Sequence, residues 1–379
     1  MKISILSIAF FLVFTIANAQ QTLNRSLIHD NVVRDYIVYV PEIYDENTPT
    51  PLMFNFHGWT MQASAQMNSC DMRYVADTAD FILVYPQGVV YQGFTHWNVG
   101  SWTAGSTADD VGFTSAMIDQ LAEKYNIDLN RVYACGWSNG AYFSYELACQ
   151  LSDRIAAIGS VSGVMSDKIY NACNPTHSTP VITIHGTADN SISYNGTFPI
   201  NSLSVFQTIN YWLGINQLDS NPVIVDLEDK DPNDGSLVEL RSYESSNGCA
   251  SVVHYRINGG GHTWPGSWGN KDIDASEVIW NFVSKYDLNG LVECDLVVST
   301  ETINDSDNLR IYPNPARNSI LVNTVSGKFS NYSIYSIAGK LVQTGELNTF
   351  RQEIDVSGLK PNMYLFKVGS KTFKFIKVE

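Results

Sequence analysis

Short apolar runs alternate with amphipathic stretches along most of this chain. Asp35–Val40 and Pro51–Phe56 read as strands, and Phe81–Tyr85 as a third, ended by Pro86-Gln87-Gly88. From Asp109 to Tyr125 apolar residues fall at Val111, Phe113, Met117, Ile118, Leu121 and Tyr125. That spacing is close to 3.6, with carboxylates in the first turn, and predicts a helix. Strands at Arg131–Cys135, Ile155–Val161, Pro180–Ile184, Leu237–Tyr243 and Ser251–Ile257 are interleaved with helices at Asn139–Leu151, around Ser204–Leu213 and at Ala275–Tyr286. Such alternation predicts an α/β fold, with a mostly parallel sheet covered by helices on both faces. The ligand site of such a sheet lies at the carboxyl ends of its strands, so the loops after strands are where chemistry is expected.

The rhythm changes at both ends. Residues 295–307 are polar and acidic and read as a linker. Beyond them, Leu309–Tyr312, Ile320–Val322, Asn331–Tyr335, Lys340–Gln343, Arg351–Asp355, Met363–Val368 and Thr372–Val378 are short β-rich runs parted by Gly, Pro and Asn, which predicts a small β-sandwich over 308–379. At the other end a basic Lys2 precedes an apolar run from Ile3 to Ile16 and the small-x-small sequence Ala17-Asn18-Ala19. This is the pattern of a cleavable signal peptide over 1–19; the run is too short to span a bilayer. The expected organisation is therefore signal peptide, α/β domain over 20–294, linker and β-sandwich, with no membrane span in the mature chain.

Composition narrows the function. The 379 residues are 44% hydrophobic and 16% charged, enough for a sizeable core. Charge is split: residues 20–307 carry a net −22, and residues 308–379 a net +6. So acidic a main domain repels nucleic-acid phosphates and suits a neutral or cationic substrate. The six cysteines include no C-x-x-C pair, which argues against a zinc ribbon. In an exported chain they can form disulfides, Cys149 with Cys173 being the expected pair because it would tie a helix to a loop 24 positions on. Cys135, inside an apolar strand, is expected to be a free buried thiol.

The strongest chemical signal is Gly136-Trp137-Ser138-Asn139-Gly140, between a predicted strand and a predicted helix. A serine nucleophile is raised on such a turn, and glycines on both sides relieve its crowding. A serine also needs a base and a carboxylate that orients it. Val181–Ile184 runs into His185-Gly186-Thr187-Ala188-Asp189, and Arg256-Ile257 opens into Asn258-Gly259-Gly260-Gly261-His262. Ser138, Asp189 and His262 are thus the candidate nucleophile, orienting acid and base. The oxyanion of an attacked ester needs two donors. The backbone N–H of Asn139 and that of Trp59, in the strand-end loop His57-Gly58-Trp59-Thr60, are the candidates.

These motifs carry a family resemblance. Asp109-Asp110-Val111-Gly112-Phe113, Tyr125–Tyr133, Gly136–Ala141, Tyr85-Pro86-Gln87-Gly88, His185–Asp189 and Gly261-His262-Thr263-Trp264-Pro265-Gly266 resemble, over residues 30–290, the secreted polyhydroxybutyrate-depolymerase-like and feruloyl-esterase-like α/β-hydrolases. The resemblance implies an α/β-hydrolase fold and a serine carboxylesterase acting on feruloylated or acetylated polysaccharide, on small esters or on polyester. Ser138, Asp189 and His262 fall on that family's triad positions. Two features depart from the pattern: Trp59 stands where a cysteine is frequent beside the oxyanion-loop glycine, and no Asn-Gly-Cys follows Trp212–Leu218.

Aromatic residues crowd the predicted loops, and Trp59, Trp97 and Trp264 are expected to stack on a sugar or phenolic group. Asp229, Asp231 and Asn233 match early positions of a calcium loop, but Asp234 and Leu240 stand where glycine and glutamate are required, so no metal and no cofactor is expected. The C-terminal segment, from Ile311-Tyr312-Pro313-Asn314-Pro315-Ala316 to Leu359–Val368, resembles the sorting domain of type nine secretion. The expected partners are an ester-bearing polysaccharide or small ester and that secretion machinery, with a secreted or cell-surface location. The expected function is ester cleavage through an acyl-enzyme; alternatives are polyester depolymerisation and a non-catalytic glycan-binding protein on the hydrolase scaffold.

Overall fold

The computed structural model describes residues 20–196, 201–244, 251–292, 309–312, 316–324, 331–336, 340–347, 351–368 and 371–378. The expected signal peptide over 1–19, the expected linker over 295–307, Cys249 and Cys294 lie outside these. The chain forms two compact units that part between Asp295 and Leu296.

The first unit opens with strands β1 (Gln21–His29), β2 (Val32–Val40) and β3 (Thr50–Phe56), helices α1 (Ala63–Ser69) and α2 (Arg73–Ala79), and β4 (Ile82–Pro86). A small hairpin follows, β5 (Val89–Tyr91) and β6 (Phe94–His96). Next come α3 (Asp110–Ala122), β7 (Ile127–Trp137), α4 (Asn139–Gln150), β8 (Ala157–Val161), α5 (Asp167–Ala172), β9 (Val181–Gly186), α6 (Val205–Ile215), β10 (Val223–Asp226), β11 (Leu237–Glu244), β12 (Ser251–Asn258), α7 (Ala275–Val283) and a short pair β13 (Tyr286–Asp287) and β14 (Gly290–Leu291). Ten strands form one sheet in the order β1-β2-β4-β3-β7-β8-β9-β12-β11-β10. The six central strands, β4 to β12, are parallel, and the two at each edge are antiparallel. This is the α/β-hydrolase architecture that the sequence predicts.

Burial explains the central strands. β3, β4, β8 and β9 are buried along their whole length, as a parallel strand sandwiched between helices requires. Alternate residues of one strand feed two cores: Leu52, Phe54 and Phe56 pack with α3, α4 and α6, while Met53 packs with α1, α2 and α7. Cys149 and Cys173 are disulfide-bonded, linking the last turn of α4 to the end of α5, and Cys70 and Cys135 are buried thiols. The elements absent from the sequence reading are β1, α1, α2, β5, β6, α5, β10, β13 and β14. They are short, polar or edge elements whose apolar signal is weak; in α1 only Ala63 and Gln66 are buried.

The second unit adds β15 (Leu309–Tyr312), β16 (Ser319–Thr324), β17 (Asn331–Ser336), β18 (Leu341–Glu346), β19 (Arg351–Asp355), β20 (Asn362–Val368) and β21 (Lys371–Lys377). They make two antiparallel sheets, β15-β16-β19 and β18-β17-β20-β21, that share a core including Ile320, Val322, Ile334, Ile354, Phe366 and Phe375. A small β-sandwich is what the run of turns and apolar strands predicts.

Candidate active site

The turn from β7 to α4 places Ser138 at φ 55°, ψ −118°, a backbone conformation that non-glycine residues seldom adopt. It is held there from both sides. The Ser138 N–H donates to the Val161 carbonyl at the end of β8 (2.9 Å), and the Ser138 carbonyl accepts from the Tyr142 N–H (3.1 Å). Close approach dictates Gly140, because a Cβ there would lie 2.1 Å from the Phe56 carbonyl oxygen. The start of α4 is therefore pressed against the end of β3, which brings the loop after β3 beside the serine.

The loops after β9 and β12 supply the other two groups. His262 Nδ1–H donates to Asp189 Oδ2 at 2.7 Å, while Asp189 Oδ1 accepts from the N–H groups of Ser191 and Ile192, both at 2.8 Å. Burial alone would raise the Asp189 carboxyl, but the His262 hydrogen bond and charge, with the Ile192 N–H, bring it below its ordinary value. His185 Nε2 donates to the Ile192 carbonyl (2.8 Å) and stands 3.5 Å from Asp189 Oδ2, so it braces the same loop. The two loops interlock where Gly186 passes Gly260: a Cβ on Gly186 would lie 2.2 Å from the Gly260 carbonyl oxygen, which accepts the Ala188 N–H at 2.9 Å.

His262 is brought to the serine turn by packing. Its ring lies against that of Trp137, the residue before Ser138, with centroids 4.8 Å apart, and Trp268 closes on the Trp137 ring at 5.5 Å. The Ser162 hydroxyl donates to the Thr263 carbonyl (3.2 Å), fixing the chain just past the histidine to the end of β8. With Nδ1–H committed to Asp189, His262 Nε2 keeps its lone pair for a proton.

The sequence names the backbone amides of Asn139 and Trp59 as candidate oxyanion donors. Asn139 is the first residue of α4, so its N–H has no acceptor within the helix. In the loop after β3, Thr60 N–H donates to Thr95 and Met61 N–H to Gly58, whereas the Trp59 N–H has no acceptor among the described residues. Two side chains to which the sequence analysis gave no role, those of His57 and Asn139, brace these loops. Buried His57 donates from Nδ1 to the Gly58 carbonyl (2.8 Å) and accepts the Gly88 N–H at Nε2 (2.9 Å); burial lowers its pKa to about 4, so it is neutral. The Asn139 side chain clamps the Trp97 backbone, accepting its N–H at 2.7 Å and donating to its carbonyl at 3.2 Å. A polar residue beside a glycine at a buried strand end was the available signal for His57.

The structure corrects two expected substrate contacts. Trp97 is 0% exposed; it stacks on Phe143 and donates from Nε1 to the His57 carbonyl (2.9 Å). Trp264 is 1% exposed and donates from Nε1 to the Ser276 hydroxyl (3.1 Å). Neither ring has a face open to a sugar; both are large apolar bodies drawn into the core, with their single N–H satisfied internally. Trp59 is only half-buried and meets Phe94 and Trp102. In the acidic loop, Asp234 spends its carboxylate oxygens on Ser236 and on the Lys271 N–H, and Asp231 on Asn233.

Comparison with known proteins agrees with this architecture. Residues 57–202 match the family described as phospholipase/carboxylesterase. Residues 310–378 match the secretion system C-terminal sorting domain, so the β-sandwich is a sorting module and the chain is directed to export. No described helix is long and apolar enough to cross a membrane. The chain is 26% identical over 273 residues to a bifunctional acetylxylan esterase/xylanase of Neocallimastix patriciarum, covering 72% of this chain and 36% of the relative. It is 28% identical over 264 residues to feruloyl esterase B of Piromyces equi, covering 67% and 46% respectively. The chain thus spans between about a third and a half of these relatives' length. Among solved structures, the acetyl xylan esterase from Aspergillus awamori aligns with TM-score 0.49 and 17% identity over 70% of this chain and 99% of that one.

Proposed function

We propose that this α/β-hydrolase, exported with its C-terminal sorting domain, is a serine carboxylesterase that removes acyl groups, acetyl or feruloyl, from polysaccharide. The observation that carries this reading is the Asp189–His262 hydrogen bond set against the strained Ser138 turn. Ser138 Oγ attacks the ester carbonyl as His262 Nε2 takes its proton, and Asp189 holds the imidazole in the tautomer that makes this transfer available. The oxyanion is received by the N–H groups of Asn139 and Trp59, which are fixed before substrate arrives and so cost no reorganisation. His262 returns the proton to the departing sugar oxygen. Water, activated by the same histidine, then hydrolyses the acyl-enzyme. The acidic surface suits a neutral chain, and the relatives named for acetylxylan and feruloyl esters support the substrate class. The sorting module, on this reading, is recognised by type nine secretion machinery.

The test is hydrolysis of methyl ferulate and acetylated xylan by the purified chain beside Ser138→Ala. Turnover of either that falls at least about 10³-fold in the variant is the expected result. Turnover that survives the substitution would sink the serine mechanism, and no turnover of any ester by the unmodified chain would sink the esterase reading.

A further inference from the structure

The β5–β6 hairpin carries an exposed aromatic residue that neither the fold nor the chemistry so far explains. Its turn is Gln92-Gly93, both at positive φ (50° and 88°), and Tyr91 pairs with Phe94 across it, the geometry of a tight two-residue hairpin. The hairpin is fastened to the loop after β3: Thr60 N–H donates to the Thr95 carbonyl (2.9 Å) and Thr95 Oγ to the Met61 carbonyl (2.6 Å). Its base is fixed by His96, whose Nδ1 donates to Val89 (2.9 Å) and whose Nε2 accepts from the Ser106 hydroxyl (2.7 Å). Whatever the hairpin presents is therefore held rigidly beside the loop that offers the Trp59 amide.

What it presents is Phe94, 49% exposed, its ring 5.7 Å from that of Trp59. The Trp59 ring meets Trp102 edge-on at 6.4 Å, and Trp102 meets Tyr142 at 5.0 Å, so the rings run on from the hairpin tip. Exposed Thr60 and Gln92 flank them with hydrogen-bonding groups. A ring half in water on a braced hairpin contributes little to the core. Rigid rings flanked by polar groups suit the apolar C–H face and hydroxyl rim of a sugar, and the net −22 of this domain favours a neutral chain over a polyanion.

We propose that Phe94 and Trp59 form a platform that holds the polysaccharide chain, the alcohol part of the ester, against the oxyanion loop. The platform rests on the esterase reading for its role in turnover but binds sugar independently of it. The test is Phe94→Ala in the full chain, which removes a half-exposed ring and leaves the hairpin hydrogen bonds, all backbone or threonine and histidine, in place. The ratio of kcat/KM on acetylated xylan to that on p-nitrophenyl acetate is expected to fall about tenfold. In Ser138→Ala background, retardation in gels containing soluble xylan is expected to weaken likewise on adding Phe94→Ala. An unchanged ratio with unchanged retardation overturns the platform, and so does a loss that is equal on both esters. A variant that loses adsorption to polyhydroxybutyrate film while keeping xylan retardation overturns the sugar assignment. Absence of all ester turnover defeats the esterase reading alone, because the retardation assay still reports on the platform.

Discussion

Gly140 and Gly214 are both helical glycines, and their surroundings predict opposite responses to the same methyl group. At Gly140 a Cβ would sit 2.1 Å from the carbonyl oxygen of Phe56, a backbone atom of a central strand that cannot yield; at Gly214 nothing lies within 4 Å. Gly140→Ala is expected to cost about 3 kcal/mol or more and to displace the loop after β3, whereas Gly214→Ala should gain up to about 1 kcal/mol from helix propensity. Urea midpoints of the two variants, with kcat for each, check both. Part of this scale was legible in the sequence: Ser138, Asp189 and His262 stand in glycine-relieved loops after strands, and the structure hydrogen-bonds Asp189 to His262. The burial of Trp97 and Trp264 is not legible in this way, because a tryptophan in a loop has the same sequence signature whether its ring faces the solvent or the core. The supporting roles of His57 and of the Asn139 side chain depend on contacts 31 to 42 positions apart, which no local pattern records.

At the scale of elements, α4 and α5 are joined not only by the disulfide but by a charge pair. Glu146, in the middle of α4 with 2% of its side chain exposed, lies 3.2 Å from Lys168 Nζ of α5; burial raises its pKa while the lysine works against that rise. Lys168 Nζ also donates to the Asn98 carbonyl (3.2 Å), so one ammonium ties α4 to the segment that continues into Trp102. Lys168→Met should leave a buried carboxylate without its partner. The expected loss is about 2 kcal/mol, below the roughly 3–5 of a fully buried pair because the lysine is 41% exposed. Adding Glu146→Gln should recover most of it, and the deficit of Lys168→Met relative to the unmodified chain should shrink from pH 7 to pH 5 as Glu146 takes up a proton. Denaturation of the three proteins at both pH values checks this; an equal deficit at each pH would place the loss in packing. The long strands and helices were legible because parallel strands buried on both faces are near-continuous apolar runs. The β5–β6 hairpin was not, since three residues a side leave no periodicity to read, although it carries Phe94.

For the molecule as a whole, the excess of carboxylates suggests a protein indifferent to mild acid, but its buried histidines argue the reverse. His57 and His254 are held neutral by burial at pKa values of about 4 and about 3, and burial lowers His185 as well. His254 is satisfied as a neutral ring, Nδ1 donating to the Thr183 carbonyl (3.3 Å) and Nε2 accepting from the Tyr194 hydroxyl (2.8 Å). In the unfolded chain each titrates near 6.5, so between that value and the depressed one the unfolded state binds more protons and stability rises with pH. Their contribution is complete above about pH 6.5 and is lost as pH falls toward 4. At pH 5 the loss is about 2 kcal/mol for each of His57 and His254 relative to pH 8. Surface carboxylate repulsion relaxes in the same window and acts the other way, but at about 0.15 M salt it is screened beyond roughly 8 Å, whereas the buried rings are not. Urea denaturation at pH 8, 6.5 and 5 should show stability nearly level over the first interval and falling steeply over the second. His254→Gln, which keeps a donor and an acceptor without a titrating ring, should make the second interval shallower by its share. A profile level from pH 8 to pH 5 would mean that these rings take up protons in the folded state, and would contradict their burial as neutral groups.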